Sequence, residues 1–385
     1  MIPYGRHDIS DDDIAAVAAV LRSDFLTQGP VIPEFEKSVA TYCGARHAVA
    51  MNSATSALHI ACMALGVTNG DLVWTTPNTF VATANCARYC GADVDFVDID
   101  PLTLNMSVTK LEEKLEQVKR DGRMPKVVIP VHFQGQSADM RAIGALAKKY
   151  GFKVIEDASH AIGGRYEDAP VGRCTYSDIA VFSLHPVKII TSAEGGLALT
   201  NDDELYSHLA RLRTHGITRN ASEMRGEADG PWYYEMIDLG YNYRLTDIQA
   251  ALGLSQMKRL DEFIAKRHYF ARRYDKMLAA LPLVLPTQAK DAHSALHLYV
   301  VQVDQRRTNH NRRAVFEKLR EQGVGVNVHY IPVHLQPYYR SFGFKPGDFP
   351  ASEAYYNNAI TIPLYASMTE NQQDRVVEAL GKALA

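Results

Sequence analysis

Residues 126–157 read KVVIPVHFQGQSADMRAIGALAKKYGFKVIED. Lys126 to Val131 is an almost continuous run of apolar side chains, Met140 to Tyr150 repeats its apolar residues at helical spacing, and Lys153 to Ile155 is apolar again. A strand that is apolar throughout has both faces covered, as parallel strands joined by helical crossovers do, and those crossovers are right-handed in nearly every case. The stretch therefore predicts a β-α-β unit and an α/β fold with a mostly parallel sheet.

The flanking sequence extends the pattern. Residues 47–66, HAVAMNSATSALHIACMALG, run from a short apolar strand through a turn of small residues into a helix. DLVWTTPNTF (71–80) and ADVDFVDID (92–100) read as strands, with a helix expected over 81–90. Two apolar runs joined by a loop follow in DIAVFSLHPVKIITSAEGGLALT (178–200), and GYNYRLTD (240–247) is a turn before another helix. At the front, Ser10 and Asp13 make an S-x-x-D start for a capped helix over IAAVAAVL. Residues 260–281 carry apolar side chains at helical spacing amid Arg and Lys, which suits a connector. LHLYVVQV (296–303), residues 315–322 and GVGVNVHY (323–330) read strand, helix, strand. The expected division is a large α/β domain with an N-terminal arm over 1–255 and a smaller α+β domain over 256–385.

The 385 residues, 46% hydrophobic and 22% charged, are ordinary globular usage and exclude a disordered chain. With 41 Lys plus Arg against 44 Asp plus Glu, net charge −3, no field draws nucleic acid or an anionic membrane. The opening MIPYGRHDISDDD lacks the positive start of an export signal, and no apolar window approaches the ~20 residues of a membrane span. A soluble, cytoplasmic protein is expected. Its five cysteines are odd in number and sparse, in keeping with a reducing compartment. Cys86 and Cys90 are the one close pair and lack two further ligands nearby. His329 and His334 flank Ile331 to Val333 without an acid cluster, so no metal site is expected. Gly-x-Gly-x-x-Gly and Walker A patterns are absent, which disfavours a nicotinamide-dependent oxidoreductase.

Asp157 follows the apolar run 153–155, at the carboxyl end of an expected parallel strand, where ligands of open α/β sheets bind. An isolated Asp there is ordinarily a helix cap or a surface acid. Lys188 changes that weighting, because it stands between Val187 and Ile189, whereas a lone Lys is usually a solvated charge. An amine so placed suits a Schiff base with pyridoxal 5'-phosphate (PLP). That cofactor needs an amine, a carboxylate for its pyridine nitrogen, a stacking partner and donors for its phosphate. Asn52 to Ser56 sits between strand and helix, where backbone N–H groups and the helix dipole favour an anion, although Ser and Thr cap helices everywhere. Ser183 adds a hydroxyl from the other side, and Phe80 is the aromatic nearest the strand-like TTPNT.

NSATSALHIA, TPNTFVATAN, VIEDASHAIGG, VFSLHPVKIITSAEGG and GYNYRLTDIQAALGLSQ, in that order, resemble the DegT-type nucleotide-sugar aminotransferases, PLP enzymes of the aspartate aminotransferase fold (fold type I). The resemblance spans nearly the whole chain. IPYGRHDIS, DFLTQGP and VHYIP are similar to the subgroup that makes the pseudaminic acid precursor. It implies Lys188 as the Schiff-base lysine and Asp157 as the partner of the pyridine nitrogen. It further implies Ala54, Thr55 and Ser183 at the phosphate, Phe80 near the ring and His160 near the ring hydroxyl. Asn242 would reach the phosphate of a neighbouring subunit, the family being homodimers with shared sites. Tyr4, Leu26, Thr27, His329 and Tyr330 would hold the sugar nucleotide. Relatives with dehydratase activity carry His at the lysine position, so Lys188 favours transamination.

The expected reaction is transfer of an amino group from L-glutamate, which leaves as 2-oxoglutarate, to C4 of a UDP-linked 4-keto-6-deoxy-N-acetyl hexose. Two alternatives are an aminotransferase for a dTDP- or GDP-linked keto sugar and a PLP-binding protein without turnover.

Overall fold

The computed structural model describes residues 1–385 except the side chain of Asp121. Seven strands form the central sheet: β1 (His47–Met51), β2 (Leu72–Thr75), β3 (Asp93–Phe96), β4 (Val127–Ile129), β5 (Lys153–Asp157), β6 (Ile179–Ser183) and β7 (Gly196–Thr200). Their spatial order is β1-β7-β6-β5-β4-β2-β3. From β3 through β6 every pairing is parallel, with Val73 opposite both Val94 and Val127 and Asp157 opposite Val181. Strand β7 runs antiparallel to both β6 and β1, the reversal that the short loop 184–195 makes possible. Burial explains the composition, since β4, β6 and β7 are buried at every position between helices on both faces.

Helices form where the sequence patterns them. Ser10 and Asp13 make a reciprocal capping box on the helix Asp11–Leu21. Asp13 is buried, and Arg259 and Gln256 reach it at 2.6 Å and 2.7 Å, which moors this helix to the helix Asp247–Met257. Ser53 caps Ala54–Ala64 and Asp139 caps Met140–Tyr150.

A second, antiparallel sheet orders Leu283–Val284, Tyr299–Val303 and Ala359–Ile362. Here the structure corrects the expectation for GVGVNVHY. Residues 323–330 form no named strand, only the single bridges Ile2 to Val324 and Asn327 to Thr361, and Ala359–Ile362 takes the place beside Tyr299–Val303. The connector helix Leu260–Leu278 divides its apolar face. Leu260, Phe263 and Ile264 pack with the central sheet, while Phe270, Tyr274 and Leu278 pack with the second sheet. The N-terminal segment is tied to that second layer, with Gly325 N–H donating to Ile2 O and Leu364 N–H to Tyr4 O. Among the described residues no helix is long and apolar enough to cross a membrane, and no group of three or more His, Cys, Asp or Glu could hold a metal ion.

Candidate active site

A cavity of about 570 Å³ opens where β1, β2, β4, β5 and β6 end at their carboxyl termini. That edge is where an open α/β sheet leaves its loops free to converge. Asp157, the last residue of β5, is buried and accepts three hydrogen bonds. Ser159 N–H and Oγ reach Oδ1 at 3.1 Å and 2.6 Å, and Thr83 Oγ1 reaches Oδ2 at 2.6 Å. These donors fix the carboxylate's orientation and its charge in space.

Lys188 stands in the loop after β6. Its backbone is turned by a hydrogen bond to His185 O, and the buried Ile189 and Ile190 anchor the segment below it. Among the described residues its amine makes no hydrogen bond or ion pair. Burial pushes the amine down to about 8, against an opposing pull from the Asp157 charge. A lysine so tuned is partly neutral near physiological pH, the state in which an amine is nucleophilic.

The third element is the N-terminus of the helix Ala54–Ala64. Ser53 Oγ accepts from Ser56 N–H at 3.1 Å, and Ser56 Oγ donates to Asn52 Oδ1 at 2.6 Å. Among the described residues Ala54 and Thr55 N–H have no acceptor, and both lie in the cavity wall with Ser183. Gly196 makes this junction possible, since a Cβ there would lie 2.4 Å from Ala54 N and 2.5 Å from Ser53 O. Phe80 is 58% exposed at the rim, its ring 6.1 Å from that of Tyr330.

Three imidazoles complete the deep wall. His160 Nε2 lies 3.1 Å from the Tyr330 hydroxyl, whereas its Nδ1 is buried without a partner. His297 packs 4.5 Å from it, ring to ring, also with an unpartnered Nδ1. Burial first, then nearby cations, holds both well below the ordinary histidine range. His329, bonded through Nδ1 to Thr361 Oγ1 at 2.7 Å, is lowered to about 3 by burial and Lys188. The three rings are therefore neutral hydrogen-bonding groups. Tyr4 closes the wall, 5.5 Å from the His329 ring.

The structure thus brings together Tyr4, Ala54, Thr55, Phe80, Asp157, His160, Ser183, Lys188, His329 and Tyr330. It does not bring Leu26, Thr27 or Asn242 into that cavity. Leu26 and Thr27 meet the start of the helix Asp247–Met257, where Asp247 N–H donates to Leu26 O and Thr27 bridges Thr246, while Asn242 bridges Thr214. Sequence reasoning does not anticipate Thr83, Ser159, His297 or Asn327. Ser159 was within reach, since Asp-x-Ser is a common local turn in which the side chains pair. Thr83 and His297 have no local signal. His334 pairs with Glu353 at 2.9 Å, away from the cavity, a structural role.

These residues fit PLP by donor chemistry. An amine without a partner suits the aldehyde, a triply held carboxylate suits the pyridine nitrogen, the orphaned His160 Nδ1 can donate to or accept from a ring substituent, and two free amides at a helix N-terminus suit a phosphate.

Comparison with known proteins agrees. The sequence profile of the DegT/DnrJ/EryC1/StrS aminotransferase family matches residues 7–381. Spore coat polysaccharide biosynthesis protein SpsC of Bacillus subtilis (strain 168) is 40% identical over 382 residues, covering 98% of this chain and 96% of that protein. Helicobacter pylori PseC, an aminotransferase involved in the biosynthesis of pseudoaminic acid, superposes with a TM-score of 0.90 at 30% identity, over 100% of this chain and 99% of that one. Sugar aminotransferase CalS13 from Micromonospora echinospora gives 0.87 at 29%, over 99% of this chain and 100% of its own.

Proposed function

The chain belongs to the DegT/DnrJ/EryC1/StrS family of PLP-dependent sugar aminotransferases, and from that premise we propose that it aminates C4 of a UDP-linked 4-keto-6-deoxy-N-acetyl hexose with L-glutamate as donor. The observation that carries the chemistry is the unpaired Lys188 amine in one cavity with Asp157 and the free amides of Ala54 and Thr55. Bound there, PLP supplies an aldehyde and an electron-accepting ring through which an amino group passes between substrates.

The chain's own residues do the rest. Lys188 Nζ, poised near neutrality, takes a proton from the substrate carbon that bears nitrogen and returns it on the far side of the transfer. Asp157, oriented by Ser159 and Thr83, would partner the pyridine nitrogen and favour the protonated ring. Ala54, Thr55 and Ser183 would hold the phosphate, and Phe80 would lie against the ring. His160 with Tyr330 would hold the ring hydroxyl, and Tyr4, His329 and Tyr330 would line the sugar's approach.

Likeness to PseC, at 30% identity over the full chain, supports the pseudaminic acid type of substrate. A second reading is amination of another nucleotide keto sugar, such as a dTDP- or GDP-linked one, since the chain is similar as well to SpsC, named for spore coat polysaccharide biosynthesis, and to the sugar aminotransferase CalS13. The working unit in this proposal is a homodimer in the cytoplasm. Leu26 and Thr27 lie next to the exposed Phe25 and outside the cavity, as does the exposed Asn242, and a second copy would bring such residues to its neighbour's site. We also assign 1–255 as the large domain and 256–385 as the small one, since the seven-stranded sheet lies within the first and the antiparallel sheet of Leu283–Val284, Tyr299–Val303 and Ala359–Ile362 within the second.

Single-turnover assays with glutamate-treated enzyme and UDP-, dTDP- and GDP-linked 4-keto sugars, read by mass spectrometry, test the proposal. At least tenfold preference in kcat/KM for the UDP sugar is expected. Preference for the dTDP or GDP sugar would replace the first reading with the second.

A further inference from the structure

Strand β5 ends in two neighbouring carboxylates, and the transamination chemistry uses only Asp157. Successive strand residues point to opposite faces, so Glu156 is turned away from the cavity that Asp157 lines. Glu156 is nevertheless buried and fully engaged. His132 Nε2 lies 2.7 Å from its Oε2, and Ser177 Oγ donates to its Oε1. His132, itself buried, is fixed in one form, because Ala138 N–H donates to its Nδ1 at 3.2 Å. A ring nitrogen that accepts carries no proton, so the imidazole proton is on Nε2 and is given to Glu156. Buried pairs of this kind are often no more stabilising than apolar residues of like volume, which directs attention to what this one holds in place.

Strand β4 ends at Ile129, yet the main chain of Asp157 is held by the residues that follow it. Asp157 N–H donates to Pro130 O at 2.9 Å, and His132 N–H donates to Asp157 O at 3.0 Å, on either side of the single bridge between Val131 and Asp157. Beyond His132 the chain leaves the sheet through a turn with Gln134 at φ 60°. Both of these main-chain bonds therefore depend on a short segment outside regular strand, and the His132 side chain ties that segment to β5 through Glu156. Ser177, just ahead of β6, ties the same carboxylate to the strand on the other side. We propose that Glu156 is a positioning residue for Asp157, fixing through His132 and Ser177 the main chain that carries the Asp157 carboxylate. The inference rests on the PLP reading of the cavity. Thr83 and Ser159 aim the carboxylate from the cavity side, and Glu156 holds the peptide from which it is aimed. Placement matters at this scale, since an error of ~1 Å from a change away from the chemistry can cost ~100-fold in rate.

The test is the PLP dissociation constant, measured by equilibrium dialysis well below each protein's melting temperature, with kcat and KM read alongside. Glu156→Ala strips the acceptor from His132 and Ser177. It should raise the PLP dissociation constant at least fivefold (about fivefold or more) and lower kcat about tenfold, with KM for the sugar nucleotide unchanged. Glu156→Gln keeps an oxygen for His132 and offers N–H to Ser177, so both values should stay within about twofold of wild type. His132→Phe keeps the bulk of the ring without its N–H; it should match Glu156→Ala, and it stands in if that variant does not fold. Because the effect passes through Asp157, adding Glu156→Ala to Asp157→Asn should change the PLP dissociation constant by less than about twofold. A Glu156→Ala protein that melts lower but binds PLP and turns over like wild type would make the pair purely structural and overturn the proposal. So would a Glu156→Gln protein as impaired as Glu156→Ala, or an equal loss with and without the Asp157 carboxylate. Failure of the wild-type chain to take up PLP would bring down the functional reading and this inference with it.

Discussion

Lys188 and Arg267 are both cations shielded from water without a carboxylate paired to them, and the chain treats them in opposite ways. The Arg267 guanidinium is fully buried and donates through Nη1 to the carbonyls of Leu296, His297 and Leu364, each at 3.1 Å. Burial lowers it only to about 10, so it stays charged and stays put. Lys188 faces a cavity, has no acceptor of its own among the described residues, and is lowered to about 8. A desolvated cation held through one nitrogen by three carbonyls is a structural brace, even though its buried Nε has no partner. One left with idle donors beside a void is equipped to bind and exchange protons. The contrast separates the two roles without reference to any relative.

Substitution should split them cleanly. Lys188→Ala is expected to cut single-turnover transamination by roughly a thousandfold or more, within the range of acid–base and nucleophilic contributions. Its melting temperature should hold or rise, because a desolvated charge is removed. Wild-type turnover in this variant would overthrow the assignment.

Arg267→Ala should do the reverse. Three buried carbonyls lose their donor, so urea denaturation should show a loss of about 3 kcal/mol. The rate per folded molecule should stay within about twofold, and a hundredfold fall in that rate at unchanged stability would make Arg267 part of the chemistry. Thr83→Val removes one of the three donors to Asp157 and should lower kcat about tenfold while KM for the sugar nucleotide holds, a transition-state loss near 1.4 kcal/mol. An unchanged kcat would leave Ser159 as the sole orienting group.

A last test concerns pH. In the cofactor-free chain below pH 8, the Lys188 amine is protonated whether folded or unfolded, and from about 8 to the ordinary 10.5 only the unfolded chain keeps the proton. Its contribution to stability therefore grows as pH rises through that window. The difference in melting temperature between wild type and Lys188→Met should tilt toward wild type from pH 8 to 10, and a flat difference would place the amine's folded value near 10.5.

Legibility followed the same division. Lys188 and Asp157 announced themselves because each is the wrong residue for its surroundings, a charge beside Val187 and Ile189 and an acid closing an apolar strand. The parallel units were readable because 126–157 contains strand, helix and strand within one short stretch. The reversed direction of β7 was not, since apolar runs carry no arrow and only the pairing of Ser183 with Gly196 and of Met51 with Gly196 reveals it. GVGVNVHY alternated like a strand yet gained only isolated bridges, because Ala359–Ile362, distant in sequence, holds the neighbouring position on Tyr299–Val303. His297 was invisible for a related reason: its place beside His160 depends on the loop that Arg267 braces.

Gly196 stands against the backbone of Ser53 and Ala54 with no room for a methyl group. The width of the anion pocket is thus set by a hydrogen atom, not by a side chain that could be exchanged for a longer or shorter one. Over many generations the helix and the strand on either side of that contact can drift only as a pair, and substrate range must be explored elsewhere on the cavity wall.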